Sequence, residues 1–507
     1  MKKVIGFLFS RMFIFSIIIL LQIFFIILLF FQIVPYGSFI YSLMILMSII
    51  MLIWLFQLDI NPAYKLVWTL VIMSLPPIGG LFYLIWGGKK LSRKTLTSLK
   101  NSNDIAADLY NQDPDIEKKL LSMETDLYRQ FNYIRSASNS PVYENTSVEY
   151  FAVGEEKYKS MLIELEKAKR FIFLEYFIID KGIMWDTILE ILKRKVKQGV
   201  DVRLIYDDMG TIMLLPRKFA KDLNELGIKT VIFNPVHPRI YTFMNYRDHR
   251  KICVIDGNIG YMGGLNLADE YINVYEKHGH WKDTAFMLKG DAVWTLTVLF
   301  MSMWFFITNE KMEFDIYRPT AKAISDGFIQ PYGDSPLDNM NVTENEYLNI
   351  INKAKNYVYI TTPYLILDNE MITALTIAAK SGIDVRIITP GVPDKWFVHY
   401  VTQSNYLILI KAGVKIYEYT PGFMHGKMFV SDDKITVVGT ANLDYRSLYL
   451  HFECCTTFIN SSIIQSVKKD IEETIKISKN ITEESIKKTN GFKKILQSVL
   501  RIFAPLM

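Results

Sequence analysis

The sequence predicts an α/β protein: two tandem α/β halves forming one pseudo-two-fold active site, preceded by an N-terminal transmembrane helical anchor. Three observations carry this prediction. A His-x-Lys-x-x-x-x-Asp pattern occurs twice, at His249 and His425. The strand-like segments leading into it repeat in the same order, and long uncharged apolar runs are concentrated at the N-terminus.

The duplicated pattern carries the chemistry. From His249 the chain reads HRKICVIDGNIGYMGGLN, and from His425 it reads HGKMFVSDDKITVVGTAN. In both copies a Lys follows the His by two positions, an Asp by seven and an Asn by seventeen, with Gly263 or Gly439 three positions before the Asn. Residues 251–255 and 427–431 are apolar and strand-like, so His249 and Lys251 share one face, as do His425 and Lys427. Turns at Asp256-Gly257 and Asp432-Asp433 reverse the chain. The returning segments, 259–262 and 435–438, bring Asn266 and Asn442 back towards the histidines. A lone His-x-Lys is noise; two full matches with similar flanks are not. Duplicated His, Lys and Asn residues can build one site in which one imidazole attacks phosphorus and the other protonates the leaving oxygen.

The flanking segments support a duplication. AKRFIFLEYFIID from Ala168, KQGVDVRLIYDD from Lys197 and LGIKTVIFN from Leu226 read as helix ends followed by strands. AKNYVYITTPYLILD from Ala354, KSGIDVRIITP from Lys380 and AGVKIYEYT from Ala412 repeat them at offsets of 186, 183 and 186 residues. The His-to-His offset is 176, which places extra residues in the first half around HPRIYTFMNY. Repeated order ending in the same motif is better explained by duplication than by generic α/β alternation.

Half of the 507 residues are hydrophobic. Residues 12–34 and 38–58 carry no formal charge and are each long enough to cross a bilayer core as a helix. The first is too long for a cleaved signal peptide, and no small-residue cleavage site follows it. A third apolar stretch, 66–86, contains Pro76-Pro77 and Gly79-Gly80, which break a helical ladder. Lys2, Lys3 and Arg11 precede the first run, and Lys89, Lys90, Arg93 and Lys94 follow the third stretch. Two crossings place both basic ends on the cytoplasmic side, with the third stretch re-entrant, interfacial or packed on the anchor. The net charge of +5 is too modest for a typical nucleic-acid binder, and no nucleic-acid partner is expected. At the C-terminus Phe492, Ile495, Leu496, Val499 and Phe503 form one helical stripe, with Lys493, Lys494, Gln497 and Arg501 largely elsewhere. Such a helix suits an anionic membrane surface or packing on the protein's own core. Cys253, Cys454 and Cys455 form no metal pattern.

The stretches NYRDHRKICVIDG, GYMGGLNLADEY, PGFMHGKMFVSDD, GTANLDYRSLYLHFE and NPAYKLVWTLVIMSLPPIGGLFYLIWGG resemble the phospholipase D superfamily, and within it the bacterial cardiolipin synthases. The resemblance covers the chain from about residue 60 onward. Together with the apolar runs, the charge pattern and the repeats, it predicts a multi-pass cell-membrane protein with an anchor at 1–91, a polar linker at 92–147 holding a helix around 115–129, phospholipase D-like halves at 148–317 and 318–486, and an amphipathic helix at 487–507. It implies a phosphatidyltransferase that joins two phosphatidylglycerol molecules into cardiolipin with release of glycerol, at an anionic membrane and on the cytoplasmic face. His249 would be the nucleophile and His425 the acid and base, although the two roles can be exchanged. Lys251, Lys427, Asn266 and Asn442 would donate to the phosphoryl oxygens. Asp283 and Glu453 match acids that orient the histidines. Asp256 and Asp432 belong to the catalytic motif but are expected to shape the hairpins rather than touch substrate. No metal and no cofactor is expected. The alternatives are a membrane phospholipase D releasing phosphatidic acid, a membrane-tethered nuclease and, from a different class, a non-catalytic scaffold, which would be expected to have degraded motifs. The other five histidines are read as structural or surface residues.

Overall fold

A computed structural model describes residues 37–76, 78–87, 93–236, 245–338 and 340–506. The expected crossing at 12–34 and the extra segment at HPRIYTFMNY lie wholly or mostly outside these residues. The chain divides into two compact units, Met1–Ser92 with Val236–Asn245, and Arg93–Pro235 with Tyr246–Pro505.

In the first unit, helix Gly37–Gln57 holds 21 residues and no charge. Its side chains are continuously described only over 41–57. Among the described residues no helix is long and apolar enough to cross a membrane. The third apolar stretch is broken: helix Pro62–Ser74 starts at an Asn61 cap, stops ahead of Pro76, and a short helix, Ile78–Phe82, comes next. Proline offers no N–H and disfavours helical geometry in the residue before it. Gly79 is needed where the chain folds back, because a Cβ there would stand 2.2 Å from the Val71 carbonyl oxygen. Leu55, Trp68, Ile72, Phe82 and Tyr83 form the buried cluster of this unit.

The second unit is built on two sheets with the same strand order. The first runs Thr146–Phe151, Ala285–Gly290, Ile259–Gly263, Lys251–Ile255, Phe171–Tyr176, Asp201–Asp207, Lys229–Phe233. The second runs Phe328–Asp334, His451–Ile459, Ile435–Gly439, Met428–Ser431, Tyr357–Thr361, Asp384–Pro390, Lys415–Tyr419, and adds Ser478–Ile481 at its edge. In each, the first crossover strand pairs parallel with the next and antiparallel with the strand that carries the motif lysine or comes just after it. Phe171–Tyr176 and Tyr357–Thr361 are buried throughout, as central strands are when both faces of a sheet are covered. Helix Val293–Thr308 is apolar on all sides and almost entirely buried, the signature of an interior helix.

Segment 92–147, read from sequence as a polar linker with one helix, carries three: Arg93–Leu109, Pro114–Leu121 and Thr125–Ser138. Asp113 caps the second, with Pro114 at its first turn, the favoured arrangement for a helix start. Ile116, Leu120, Phe131 and Ile134 join the core of the second sheet. Ser102 Oγ donates to the Ser302 carbonyl at 2.7 Å. A few apolar residues three or four apart are enough to dock a short helix, and an average over the segment hides them.

Asp256 and Asp432 stand at the two hairpin turns with left-handed backbones, φ 55° and 54°. Asp256 accepts the backbone N–H groups of Lys169, Arg170 and Phe171 at 2.7–3.0 Å. Asp432 accepts those of Lys355, Asn356 and Tyr357 at 2.6–2.9 Å. Each aspartate therefore ties its hairpin to the start of the neighbouring strand. Asp256→Ala or Asp432→Ala is expected to cost about 1–3 kcal/mol by removing hydrogen bonds to a charged carboxylate. A lower melting temperature for each purified variant checks this; an unchanged one would assign the carboxylates no structural role.

Candidate active site

Two short ladders cross between the halves and assemble the site. Arg247–Asp248, from the first half, pairs parallel with His451-Phe452. Gly422–Met424, from the second, pairs parallel with His280–Lys282. His249 N–H donates to the Phe452 carbonyl at 2.9 Å, and His425 N–H to the Lys282 carbonyl at 2.7 Å. One residue further along each ladder, a motif histidine faces an acid from the opposite half. His249 Nδ1 lies 2.9 and 3.0 Å from the Glu453 carboxylate oxygens. His425 Nδ1 is bonded to Asp283 Oδ2. The acids thus serve the histidine of the other half, a crossing that counting within either half does not reveal. The Lys282–Asp470 ion pair at 2.7 Å, with both side chains 9 % exposed, further clamps the first half to the second.

The two acids are held differently. Thr440 Oγ1 donates to Glu453 Oε2. The corresponding residue in the first motif is Gly264, where a Cβ would lie 2.1 Å from Asp283 Oδ1. Asp283 instead accepts the Thr284 N–H at 2.9 Å. Glycine makes room for the shorter acid, and threonine supplies a donor to the longer one.

Burial governs the charges. It pushes His249 down to about 3, against the pull of Glu453, and His425 down to about 4, where Lys427 adds to burial and Asp283 opposes it. Burial works against ionisation of Glu453 and Asp283 too, but the facing histidines override it and both acids lie below their usual range. Neutral imidazoles beside ionised carboxylates have Nδ1–H donated to the acid, which leaves Nε2 with its lone pair free. Lys251 and Lys427 amines donate to the carbonyl oxygens of their own motif histidines. Each ammonium also reaches across: Lys251 lowers the proton affinity of His425, and Glu453 stabilises the charge on Lys427. The two motifs therefore share one electrostatic site.

Asn266 Oδ1 accepts the Ile178 N–H at 2.9 Å, and its Nδ2 donates to Tyr271 Oη at 2.7 Å. Asn442 Nδ2 donates to Asp444 at 3.0 Å, and its Oδ1 is buried without a partner. Both asparagines are thus braced by local bonds. The walls are aromatic: Phe177 stands 5.1 Å from the His249 ring, and Trp281, Tyr271 and Phe423 stand 5.1–5.6 Å from that of His425.

His451 also belongs here, although motif spacing selects it for nothing. Its ring lies 5.4 Å from that of His249, and its Nδ1, 3.7 Å from Glu453 Oε1 and too far for a hydrogen bond, is buried without a partner. His249, His451 and Glu453 bring three possible ligand atoms within 4.8 Å, but the ammonium of Lys251 beside them disfavours a cation. The signal for His451 was its place two residues before Glu453, on the same strand face. Thr440 was legible only as a difference between the two motif copies. The three cysteines are free and buried.

A family profile described as "Cardiolipin synthase, PLD-like domain" matches residues 161–288 and 347–475, and one described as "Phospholipase_D-nuclease N-terminal" matches 46–88. An uncharacterized protein of Streptococcus mutans is 45% identical over 448 residues, 87% of this chain and 96% of that one. A cardiolipin synthase of Halalkalibacterium halodurans is 33% identical over 451 residues, 88% of this chain and 90% of that one. The crystal structure of a phosphatidylserine synthase from Haemophilus influenzae shares the fold, with a TM-score of 0.57 at 14% identity over 75% of this chain and 98% of that one.

Burial pushes the amine of Lys427 down to about 7, although Asp283 opposes it, and that of Lys251 down to about 8, although Glu453 opposes it. Each is a cation below its pKa and neutral above it. The positive charge of the site is therefore present at lower pH and lost as pH rises through about 7 and then about 8. Because kcat/KM reports the unliganded enzyme, it is expected to fall over that range. Lys427→Arg keeps its charge and is expected to move the midpoint up by about one unit. A pH series of kcat/KM on detergent-dispersed lipid checks both; a flat alkaline side would mean that both lysines keep their charge through this range.

Proposed function

The chain belongs to the cardiolipin synthase family of phospholipase D-like proteins and is a phosphatidyltransferase, and we propose that it makes cardiolipin by moving the phosphatidyl group of one phosphatidylglycerol onto a second. The observation that carries this reading is the pair of crossed histidine–carboxylate contacts, His249 with Glu453 and His425 with Asp283.

That geometry supports a two-step transfer. Glu453 fixes the proton on Nδ1 of His249, so Nε2 attacks phosphorus and a P–N bond forms as the bond to glycerol oxygen breaks. His425 gives its Nε2 proton to that oxygen. In the empty site His425 is neutral; a bound phosphodiester brings negative charge into low dielectric and favours the imidazolium. A terminal hydroxyl of the second phosphatidylglycerol then gives its proton to His425, its oxygen bonds phosphorus, and the P–N bond breaks. Lys251, Lys427, Asn266 and Asn442 meet the charge on the phosphoryl oxygens. The buried, aromatic walls limit water, which would otherwise divert the intermediate to phosphatidic acid.

His249→Ala and His425→Ala are each expected to abolish transfer. Glu453→Gln and Asp283→Asn are expected to lower turnover by about 10²- to 10⁴-fold, as misoriented imidazoles do. Turnover quenched in alkali or denaturant, which preserve a phosphoramidate, is expected to leave phosphatidyl label on His249. Label on Ser or Thr would overturn the mechanism; label on His425 would exchange the two roles; phosphatidic acid as sole product would make the enzyme a hydrolase.

In this reading residues 1–91 form the anchor, 92–147 join it to the catalytic part, 148–317 and 318–486 form the two halves, and 487–507 end the chain. Segments 12–34 and 38–58 cross the bilayer, and both basic flanks face the cytoplasm. Single cysteines at Gly37 and Ser92, introduced after Cys253, Cys454 and Cys455 are replaced and activity is verified, test this in intact cells. A membrane-impermeant thiol reagent is expected to label position 37 and not 92. Strong labelling at 92 would mean three crossings and an outward-facing site.

A further inference from the structure

Helix Gly491–Ile502 packs along helix Trp396–Ala412. Leu496 and Leu500 are half-buried there, and the ammonium of Lys493 lies 4.8 Å over the Tyr400 ring. The other apolar side chains face away: Phe492 is 74 %, Ile495 65 %, Val499 45 % and Ile502 45 % exposed. Their spacing places them on one helical face, with exposed Lys494 and Arg501 behind it. Residues 487–503 include Lys487, Lys488, Lys493, Lys494 and Arg501 and no acid.

Trp396, 58 % exposed, begins the supporting helix and meets Tyr400 edge-on at 5.5 Å. Two residues earlier, Asp394 accepts the Tyr364 hydroxyl at 2.6 Å, and the Tyr364 ring lies 6.4 Å from that of Phe423, which stands 5.6 Å from the His425 ring. The first half repeats the arrangement after its corresponding strand. Asp207, which ends Asp201–Asp207, accepts the Asp248 N–H at 3.1 Å, beside His249. The chain then exposes Ile212, Met213 and Leu214, Met213 at 89 %, with Arg217 and Lys218 just beyond. In each half an exposed apolar segment thus follows the corresponding strand, Ile212, Met213 and Leu214 after Asp201–Asp207 and Trp396 after Asp384–Pro390.

We propose that the Met213 loop and the Phe492 face form a two-sided rim that docks into the surface of an anionic phospholipid bilayer and presents the mouth of the site to the headgroups. The proposal rests on the lipid-transfer reading of the site. Apolar side chains enter the headgroup boundary, tryptophan and tyrosine sit at its polar edge, and the flanking lysines and arginines meet anionic lipid. A groove on a protein partner would fit the apolar stripe, but it would also have to match an uninterrupted basic flank.

The test uses the full chain with Ile495→Cys carrying an environment-sensitive fluorophore; Cys253, Cys454 and Cys455 are buried, and labelled wild-type protein gives the background. The protein is reconstituted into vesicles of phosphatidylglycerol with phosphatidylcholine, or of phosphatidylcholine alone. Emission is expected to shift blue and iodide quenching to fall about threefold or more only where anionic lipid is present. Replacing Phe492, Ile495 and Val499 together with Ser is expected to lower the ratio of transfer in phosphatidylglycerol vesicles to transfer on detergent-dispersed phosphatidylglycerol by about fivefold or more. Equal iodide access in both vesicles with an unchanged ratio overturns the proposal. Iodide protection that appears in detergent and grows with protein concentration also overturns it, in favour of a second copy on this face. Failure to form cardiolipin in detergent would count against the transfer reaction, while the iodide readout would still decide docking.

Discussion

Two parallel ladders, each only two or three residues long, hold the rest of this site in place. Arg247–Asp248 on His451-Phe452, and Gly422–Met424 on His280–Lys282, each join one half to the other. A backbone ladder fixes the register of the residues next in the chain, and a slip by one turns every side chain to the opposite face. Here the next residue on each ladder is a motif histidine on one strand and an acid on the other. The crossed pairs His249–Glu453 and His425–Asp283 are therefore consequences of backbone register, and they exist only when the halves are joined.

Joining them buries an unusual amount of charge. Lys251, Lys427, Asp283 and Glu453 are all nearly inaccessible to solvent. An ion removed from water costs several kcal/mol unless partners replace its hydration. Each half brings one lysine and one acid, and each acid finds its histidine in the opposite half. The pseudo-two-fold arrangement thus supplies the compensation that either half lacks alone. The same burial keeps both imidazoles neutral and both amines near their loss of charge. Tuning and assembly have one cause, which is desolvation against a fixed set of opposite charges.

The symmetry is incomplete, and the departures fall at the site. Thr440 braces Glu453 where Gly264 leaves room for Asp283, and His451 stands beside His249 where Trp281 stands beside His425. The proposed reaction, with a nucleophile and a proton carrier, asks for two related but unequal imidazoles. Duplication provides the first requirement, and divergence at a few positions provides the second.

Much of this was legible in the residues themselves. The repeated motif identified both histidines and lysines, the repeated segments implied the two halves, and Pro76-Pro77 foretold the break after Ser74. These features depend on spacing along one strand or on the missing N–H of proline, which are local properties. The three helices of 92–147 escaped because their few apolar residues have meaning only against the core they meet. Likewise, no count along the chain could assign Glu453 to His249, select His451 from the five histidines outside the motifs, or tell that Leu496 turns inward while Phe492 and Ile495 stay exposed. Sequence by itself determined which chemical groups are present and how they alternate along each strand. Tertiary structure alone decided which group faces which, because those contacts join residues far apart in the chain through a register that only the packed halves define.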